Sequence, residues 1–301
     1  MKGMVLAKLL TGAAVALIAI GCSNVSGPSA AISANEIAAR DIALSIADPT
    51  SGTTQELTDL GAFFYARGAV KGLGVAPWSL FHGSDFAQYF TAGIESGKLA
   101  WNATADDYEM SGTQSVTAGP ISGSSDITLD VAFFTSSDAS GTGVQIANPS
   151  AGLPSTIQSL TYKRQMTGTF SNSLSGLKRQ LTSTSSFTVT GLNSGSPGFT
   201  VNGTKTGTFT NMYADGATAT GTLTETVNQF VVSAVLQASG SSLLTATGTI
   251  TVTYSATITR VDGTSVQVNK TATFTLNGQR TAHVDMDGTN VDVDITTGAT
   301  E

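Results

Sequence analysis

The stretch ATGTITVTYSATITR, residues 246–260, decides the fold class. Its even positions carry apolar or small residues and Tyr254, whereas every odd position from Thr247 to Thr259 is Thr, apart from Ser255. A period of two sustained in this way is typical of a β-strand with one face in the core and one face in solvent. At about 3.3 Å per residue, such a strand is roughly 50 Å long, far longer than an ordinary strand.

Similar rows of threonine recur between Lys98 and Thr296, in a chain with 46 Thr, 33 Gly and only 12% charged residues. They lie at Thr167/Thr169, Thr182–Thr190, Thr204–Thr210, Thr218–Thr226 and Thr271–Thr275. We predict a mainly β protein, an antiparallel meander of about ten long strands that forms a curved sheet or barrel. In one strand the apolar residues change from odd to even positions between Val227 and Phe230, which predicts a bulge there.

Turn residues between the rows predict hairpins. The signals are Asn202-Gly203, Asp215-Gly216, Asp262–Thr264, Asn277–Gln279 and Asp287-Gly288. Because the apolar rows must share a face, a three-residue loop at 262–264 is expected to place Ile258 opposite Val268. By the same argument the loop at 277–279 places Phe274 opposite Ala282. A two-residue turn at 287–288 places Val284 opposite Val291 and His283 opposite Asp292.

The N-terminus has the pattern of an export signal. Lys2 and Lys8 precede an apolar run from Leu9 to Ile20, which is too short to span a membrane and has the length of a signal-peptide core. The run ends in LIAIGC, residues 17–22, which resembles the lipobox of bacterial lipoproteins. The resemblance implies cleavage after Gly21 and acylation of Cys22 with lipid, including palmitate-type chains. The alternative is a secreted protein with an unmodified cysteine.

Lipidation predicts where the protein resides and what it contacts. Two or three acyl chains on Cys22 would anchor it stably in a membrane. By the same resemblance, Ser23 in place of an inner-membrane retention Asp favours the outer membrane, so we expect a lipid-anchored protein of the bacterial cell envelope. Loss of residues 1–21 removes two Lys and leaves 12 basic and 21 acidic side chains. A net charge of −9 disfavours nucleic acid as a partner. Protein partners are not indicated.

The segment before the sheet is expected to be a helical and aromatic, glycine-rich cover over residues 32–97, after a flexible tether at 22–31. Ser33 and Glu36 have the spacing of a capping box that begins a helix, and Pro49 ends it. The cover either packs over one face of the sheet or forms a binding site for an apolar ligand. The residues of that candidate site are Phe63, Phe64, Tyr65, Trp78, Phe81, Phe86, Tyr89 and Phe90.

Candidates for chemistry are few. His82 and His283 are the only histidines, and no nucleophile–base motif or phosphate loop is present, so we predict no enzymatic activity and no organic cofactor. The predicted terminal hairpin brings together four oxygen-bearing side chains that could hold Ca²⁺. They are Asp285, Asp287, Asn290 and Asp292. The alternative is ordinary surface electrostatics between cross-strand side chains.

The sequence thus divides into a signal peptide (1–21), a tether with lipidated Cys22 (22–31), a cover (32–97), a β domain (98–296) and a tail (297–301). The predicted function is that of a non-enzymatic, lipid-anchored envelope lipoprotein that binds an apolar ligand or acyl chain between sheet and cover. The alternative is a structural or adhesive surface module without a small-molecule ligand.

Overall fold

The computed structural model describes residues 33–47, 52–53, 56–57, 100–118, 121–146, 156–192, 198–236, 242–278 and 281–294. Within these ranges helix α1 spans Ala34–Ala47, and Thr53, Glu56 and Leu57 also have helical backbone. Eleven strands follow: β1 Ala100–Asn102, β2 Asp107–Ala118, β3 Ile121–Phe134, β4 Ser159–Asn172, β5 Lys178–Thr190, β6 Gly198–Met212, β7 Thr218–Leu236, β8 Ser242–Thr259, β9 Ser265–Asn277, β10 Thr281–Met286 and β11 Thr289–Asp294. The predicted signal peptide, Cys22 and the aromatic residues 63–90 lie outside the described residues.

All eleven strands form one antiparallel sheet in which strand order follows chain order from β1 to β11. The mainly β meander predicted from the threonine rows is therefore confirmed. Each strand pairs with the strands before and after it, while β1 and β11 stand at opposite ends of the order. Among the described strands β1 does not pair with β11, so of the two predicted forms the curved sheet is the one observed.

The two faces of the sheet follow the alternation in the sequence. In β8, Ile250, Val252 and Tyr254 are fully buried, whereas Thr253 and Thr257 are exposed. The predicted change of phase in β7 is also confirmed, because the β7–β8 register shifts between Asn228 and Val231. We call the buried face of the sheet the inner face and the threonine-rich face the outer face.

Two predicted hairpin registers are wrong by two residues. Ile258 lies opposite Val266, not Val268. The loop is Val261–Gly263, because Gly263 adopts a φ of 81° and its N–H donates to the carbonyl of Arg260 at 2.9 Å. Glycine suits the left-handed last position of a three-residue hairpin loop, whereas the prediction had placed Gly263 in the middle. A shift of two residues keeps every side chain on its face, so parity could not detect the error.

The second wrong register concerns the β9–β10 hairpin, where Phe274 lies opposite Val284. The predicted hairpin at Asn202-Gly203 is also wrong, since both residues lie inside β6 at a register shift. The Asn202 side chain there accepts a hydrogen bond from the backbone N–H of Gln229 at 2.7 Å, which joins this irregularity to the one in β7. The turns at 215–216 and 287–288 are confirmed.

Helix α1 lies on the inner face against β8 and β9. One of the two hydrogen bonds of the predicted capping box is present, because the backbone N–H of Glu36 donates to Ser33 Oγ at 3.2 Å. Ile37, Ile42 and Ile46 are fully buried, because the apolar stripe of the helix faces the sheet. Among the described residues, no helix is long and apolar enough to cross a membrane.

Glycines on the inner face let neighbouring strands come close. An added Cβ at Gly221 would lie 2.2 Å from the Ser255 carbonyl oxygen, and one at Gly168 would lie 2.8 Å from Ser125 Cβ. A glycine on the apolar face of a strand can reflect either strong curvature of the sheet or the close approach of a covering segment. At both positions the nearest atom belongs to an adjacent strand, which favours curvature.

Candidate functional site

Polar side chains that are buried, or in the case of Arg164 partly buried, join the N-terminal segment to the inner face of the sheet, and we call this set the buried seam. Its members from the N-terminal segment are acidic or hydroxyl-bearing, and those from the sheet are mostly cations and hydrogen-bond donors. They are Asp41, Thr53 and Glu56 from the segment, and Arg164, Arg179, Lys205, Asn211, Tyr213, Glu225 and Tyr254 from β4–β8 and the loop after β6.

The centre of the buried seam is a row of side chains that crosses four strands. In register, Arg164 of β4 pairs with Ser185 of β5, which pairs with Lys205 of β6, which pairs with Glu225 of β7. Adjacent strands are about 4.8 Å apart, so these groups are side by side on one face. All four occupy inner-face positions of strands whose outer-face positions are largely threonine or serine.

Sequence reasoning missed this row, although a signal was present. Glu225 lies between Leu223 and Val227 in the apolar parity of β7, and Lys205 lies in the apolar parity of β6. Ionisable residues are almost never fully buried unless they are paired. A charged side chain in the apolar row of a strand therefore indicates a buried partner, whose identity the row itself does not show.

Glu56 forms ion pairs with two cations of the row. Its Oε1 lies 2.9 Å from Lys205 Nζ and 3.2 Å from Arg164 Nη1. Burial by itself raises the pKa of this carboxyl, but Lys205 and Arg164 outweigh burial and hold the pKa below its ordinary value. Glu56 is thus ionised, and cations of the sheet compensate its charge. These ion pairs hold the helical turn around Glu56 over β4–β6.

Glu225 is the acid of the row and is fully buried. The hydroxyl of Thr53 donates a hydrogen bond to Glu225 Oε2. Burial raises the pKa of Glu225 to about 7, although Lys205 and the Thr53 hydroxyl oppose the increase. Among the described residues, Glu225 Oε1 has no hydrogen-bond partner.

Asp41 of α1 is held by three donors from the sheet side. Asn211 Nδ2 donates to Oδ1 at 2.6 Å, Tyr254 OH donates to Oδ2 at 2.8 Å, and Tyr213 OH also donates to Oδ1. Burial raises the pKa of Asp41, and the three hydrogen bonds oppose the increase. Burial, followed by the nearby Asp41, raises the pKa of both tyrosines, so they remain donors at neutral pH.

A small cavity of about 10 Å³ adjoins the buried seam. Its lining combines two members of the row with Arg179, with apolar and small residues of β5–β7 and with one residue of α1: Ser45, Arg179, Leu181, Ser183, Lys205, Gly207, Phe209, Leu223 and Glu225. This volume is close to what one water molecule requires and far below that of a pocket for a small organic ligand. The cavity cannot accept an acyl chain.

The predicted calcium residues lie in the β10–β11 hairpin, but their carboxylates have separate partners. Asp292 Oδ1 is 2.7 Å from His283 Nδ1, and Asp287 Oδ2 is 2.6 Å from Lys270 Nζ. Asp285 Oδ1 accepts a hydrogen bond from the backbone N–H of Gly288 at 2.8 Å. Within the described ranges, no three His, Cys, Asp or Glu side chains form a group that could hold a metal ion. Their positions do not support the calcium hypothesis.

The predicted lipidation site at Cys22 and the eight aromatic residues of the predicted ligand site lie outside the described residues. What the described geometry can do is hold the N-terminal segment on the sheet by compensated buried charges. Comparison with protein-family models, with curated proteins and with solved structures gives no match for this chain.

Proposed function

We propose that the chain is a non-enzymatic, lipid-anchored protein of the bacterial cell envelope, whose sheet acts as a structural or adhesive module. The buried seam is the observation that favours this function over binding of an apolar ligand. Against β8 and β9 the inner face is covered by α1, in the row across β4–β7 the Arg164 and Lys205 cations are paired with Glu56, and the adjoining cavity measures only about 10 Å³. An acyl chain would have to displace compensated charges, which is costly in an apolar surrounding.

The outer face supports the adhesive side of the proposal. It presents exposed threonines on successive strands, for example Thr182, Thr206 and Thr224, and few charges. An open groove of about 370 Å³ on β2–β5 is lined mostly by hydroxyl and amide side chains, including Thr113, Thr167 and Gln180, with the carboxylate of Asp126 among them. Such a surface can hydrogen-bond to neutral polar polymers without a charge requirement.

The anchor part of the proposal rests on the lipobox-like residues 17–22 and is tested by replacing Cys22. In a diderm bacterial host, the unmodified protein is expected in the membrane fraction and labelled by radioactive palmitate. The Cys22→Ser variant is expected in the soluble fraction without label. A matched control, Cys22→Ser combined with Ser26→Cys, moves the thiol out of the lipobox and should behave like Cys22→Ser. A membrane-bound Cys22→Ser protein would contradict the anchor.

The eight aromatic residues between Phe63 and Phe90 keep an apolar ligand as the second candidate function. Native mass spectrometry of the Cys22→Ser protein, purified without detergent, separates the two functions. The structural or adhesive module predicts only the mass of the polypeptide. A co-purifying lipid, released when Phe86 and Tyr89 are replaced with Ala, would instead establish the ligand-binding function.

A further inference from the structure

The large apolar side chains that the described residues leave exposed all lie at one end of the sheet. Leu174 is 86% exposed and Val261 is 73% exposed, and Met212 and Val266 are also exposed. Leu174 lies in the turn between β4 and β5, and Val261 in the loop between β8 and β9. Met212 ends β6, and Val266 is near the start of β9. In an antiparallel meander the turns after β4, β6 and β8 lie at the same end of the sheet, so these side chains are gathered there.

The three turns form one surface, which we call the apolar tip: residues 172–178, 212–218 and 260–266. A Cβ added at Gly176 would lie 2.8 Å from Ala214 Cβ, and one added at Gly216 would lie 3.1 Å from Val261 Cγ2. Neighbouring turns are therefore in contact. Exposed apolar side chains that are scattered need no explanation, whereas a contiguous group marks a surface that contacts another molecule or a membrane.

The apolar tip carries no net charge. Its charged side chains are two basic and two acidic groups, all exposed: Lys178, Arg260, Asp215 and Asp262. The chain after residue 21, in contrast, has 12 basic and 21 acidic side chains. The acidic excess that would repel anionic lipid headgroups thus lies elsewhere in the chain, and the tip can approach a lipid surface without that repulsion.

Helix α1 has its N-terminus directed toward the apolar tip. Asp41 accepts a hydrogen bond from Tyr213, which belongs to the tip. One helical turn later, Ser45 lines the small cavity together with Gly207, which precedes Tyr213 by six residues along β6 and its following turn. The helix therefore runs away from the tip between Asp41 and Ser45. Its first residue, Ala34, lies on the tip side of Asp41.

The length of chain before α1 determines which end of the sheet can face a membrane. Cys22 precedes Ser33 by 11 residues, which span at most about 40 Å when fully extended. Strand β7 has 19 residues and is roughly 60 Å long. An acylated Cys22 would therefore keep the tip end of the sheet near the bilayer. The protein could not stand on the opposite end of the sheet, because the tether is too short.

We propose that the apolar tip docks on the lipid surface of the membrane that holds the acylated Cys22, with Leu174 and Val261 inserted among the headgroups. This contact rests on the proposed function, because the anchor brings the tip to the bilayer. It is stabilised by the apolar area that leaves water on insertion. The docked sheet projects from the membrane with its strands directed away from the lipid, so its threonine-rich outer face stays accessible to a partner.

Fluorescence of the lipidated protein in vesicles of phosphatidylethanolamine and phosphatidylglycerol tests this contact. Cys22 is the only cysteine of the chain, so a cysteine introduced into the acylated protein carries the only free thiol. Leu174→Cys places an environment-sensitive fluorophore on the tip, and Ser137→Cys places the same fluorophore in the exposed turn after β3, at the opposite end. We expect the label at 174 to shift its emission to shorter wavelength in vesicles and to be quenched by brominated lipids. The label at 137 should show neither effect.

Flotation of the same vesicles separates failure of the tip contact from failure of the anchor. Protein that floats with the vesicles while both labels behave alike retains the anchor and overturns the tip contact. A shift at 174 without quenching by brominated lipids shows that a second copy of the chain covers the tip, and it also overturns the proposal. Protein that does not float lacks the anchor, and the tip contact falls with it.

A weaker anchor makes the contribution of the tip measurable. The chain from residue 22 onward, with one myristoyl-length chain joined to the Cys22 thiol, should bind vesicles only marginally through that chain. Replacing Leu174 and Val261 together with Ser should lower its vesicle-binding constant by roughly 10- to 100-fold. Both side chains are exposed, so the substitutions leave the core intact. Ser137→Ala, at the opposite end, is the matched control and should leave the constant unchanged. Equal constants for the double variant and the control would overturn the proposal.

Discussion

The stability of this protein should fall as pH rises from about 4.5 to 7, because the proton that stabilises buried Glu225 in the folded state is lost over this range. The folded state raises the pKa of Glu225 from its ordinary value of 4.5 to about 7. The folded chain therefore binds this proton more tightly than the unfolded chain, and the contribution is fully present below pH 4.5. Between these two pH values the free energy of unfolding should lose about 3 kcal/mol on account of Glu225.

Glu225→Gln isolates that contribution, because glutamine has nearly the same shape and does not titrate. Asp41 contributes in the same direction as Glu225, since its pKa is raised, whereas the lowered pKa of Glu56 contributes in the opposite direction. The quantity to compare is therefore the difference between the variant and the unmodified protein at each pH. We expect the variant to gain about 3 kcal/mol relative to the unmodified protein between pH 4.5 and pH 8.

The assay is urea unfolding followed by circular dichroism at pH 4.5, 5.5, 6.5 and 8. Asp126→Asn is the control, because it makes the same change from a carboxyl to an amide at an exposed position of the outer face. A difference between Glu225→Gln and the unmodified protein that is the same at every pH would refute the reasoning, since it would mean that Glu225 does not change protonation on folding in this range.

Two further predictions concern packing and hydrogen bonding. Asp41→Ala leaves three buried donors without their acceptor, and it should lower the free energy of unfolding by about 3 kcal/mol or more. Asp292→Ala removes an exposed ion pair, and it should lower the free energy of unfolding by less than about 1 kcal/mol. Urea unfolding measures both variants. A smaller cost at Asp41 than at Asp292 would contradict the role of the buried seam. Gly221→Ala forces a Cβ to within 2.2 Å of a backbone oxygen and should lower the melting temperature by about 5 °C or more. A melting temperature equal to that of Gly112→Ala, where the added Cβ meets nothing within 4 Å, would show that the strands can separate at this point at no cost.

The sequence determines the faces of the strands better than their pairing. Alternation predicted the buried row of β8 and the change of phase near Gln229, because the backbone of a strand imposes a period of two. It did not predict the register at Gly263, because a displacement of two residues leaves the same side chains facing inward. The position of glycine within the loop decides the register, through the left-handed conformation that the last loop residue adopts.

Only the part of the buried seam that lies on the sheet could be predicted from the sequence. Lys205 and Glu225 occupy positions in the apolar row of their strands, which indicates buried charges on the sheet. Their partners Thr53 and Glu56 come from a short segment whose composition does not distinguish a buried acid from an exposed one. Thr53 and Glu225 are separated by 172 positions, and no periodicity relates residues so distant in the chain.

The strand order also affects the course of folding. Neighbours in the sheet are neighbours in sequence, so each hairpin can close as soon as its second strand has been synthesised. Helix α1 is made first but contacts β8 and β9, so it must wait for most of the chain. The growing sheet therefore exposes its inner face to solvent in the meantime. We expect the charges of Arg164 and Lys205 to oppose aggregation of the exposed inner face during that interval, until Glu56 pairs with them.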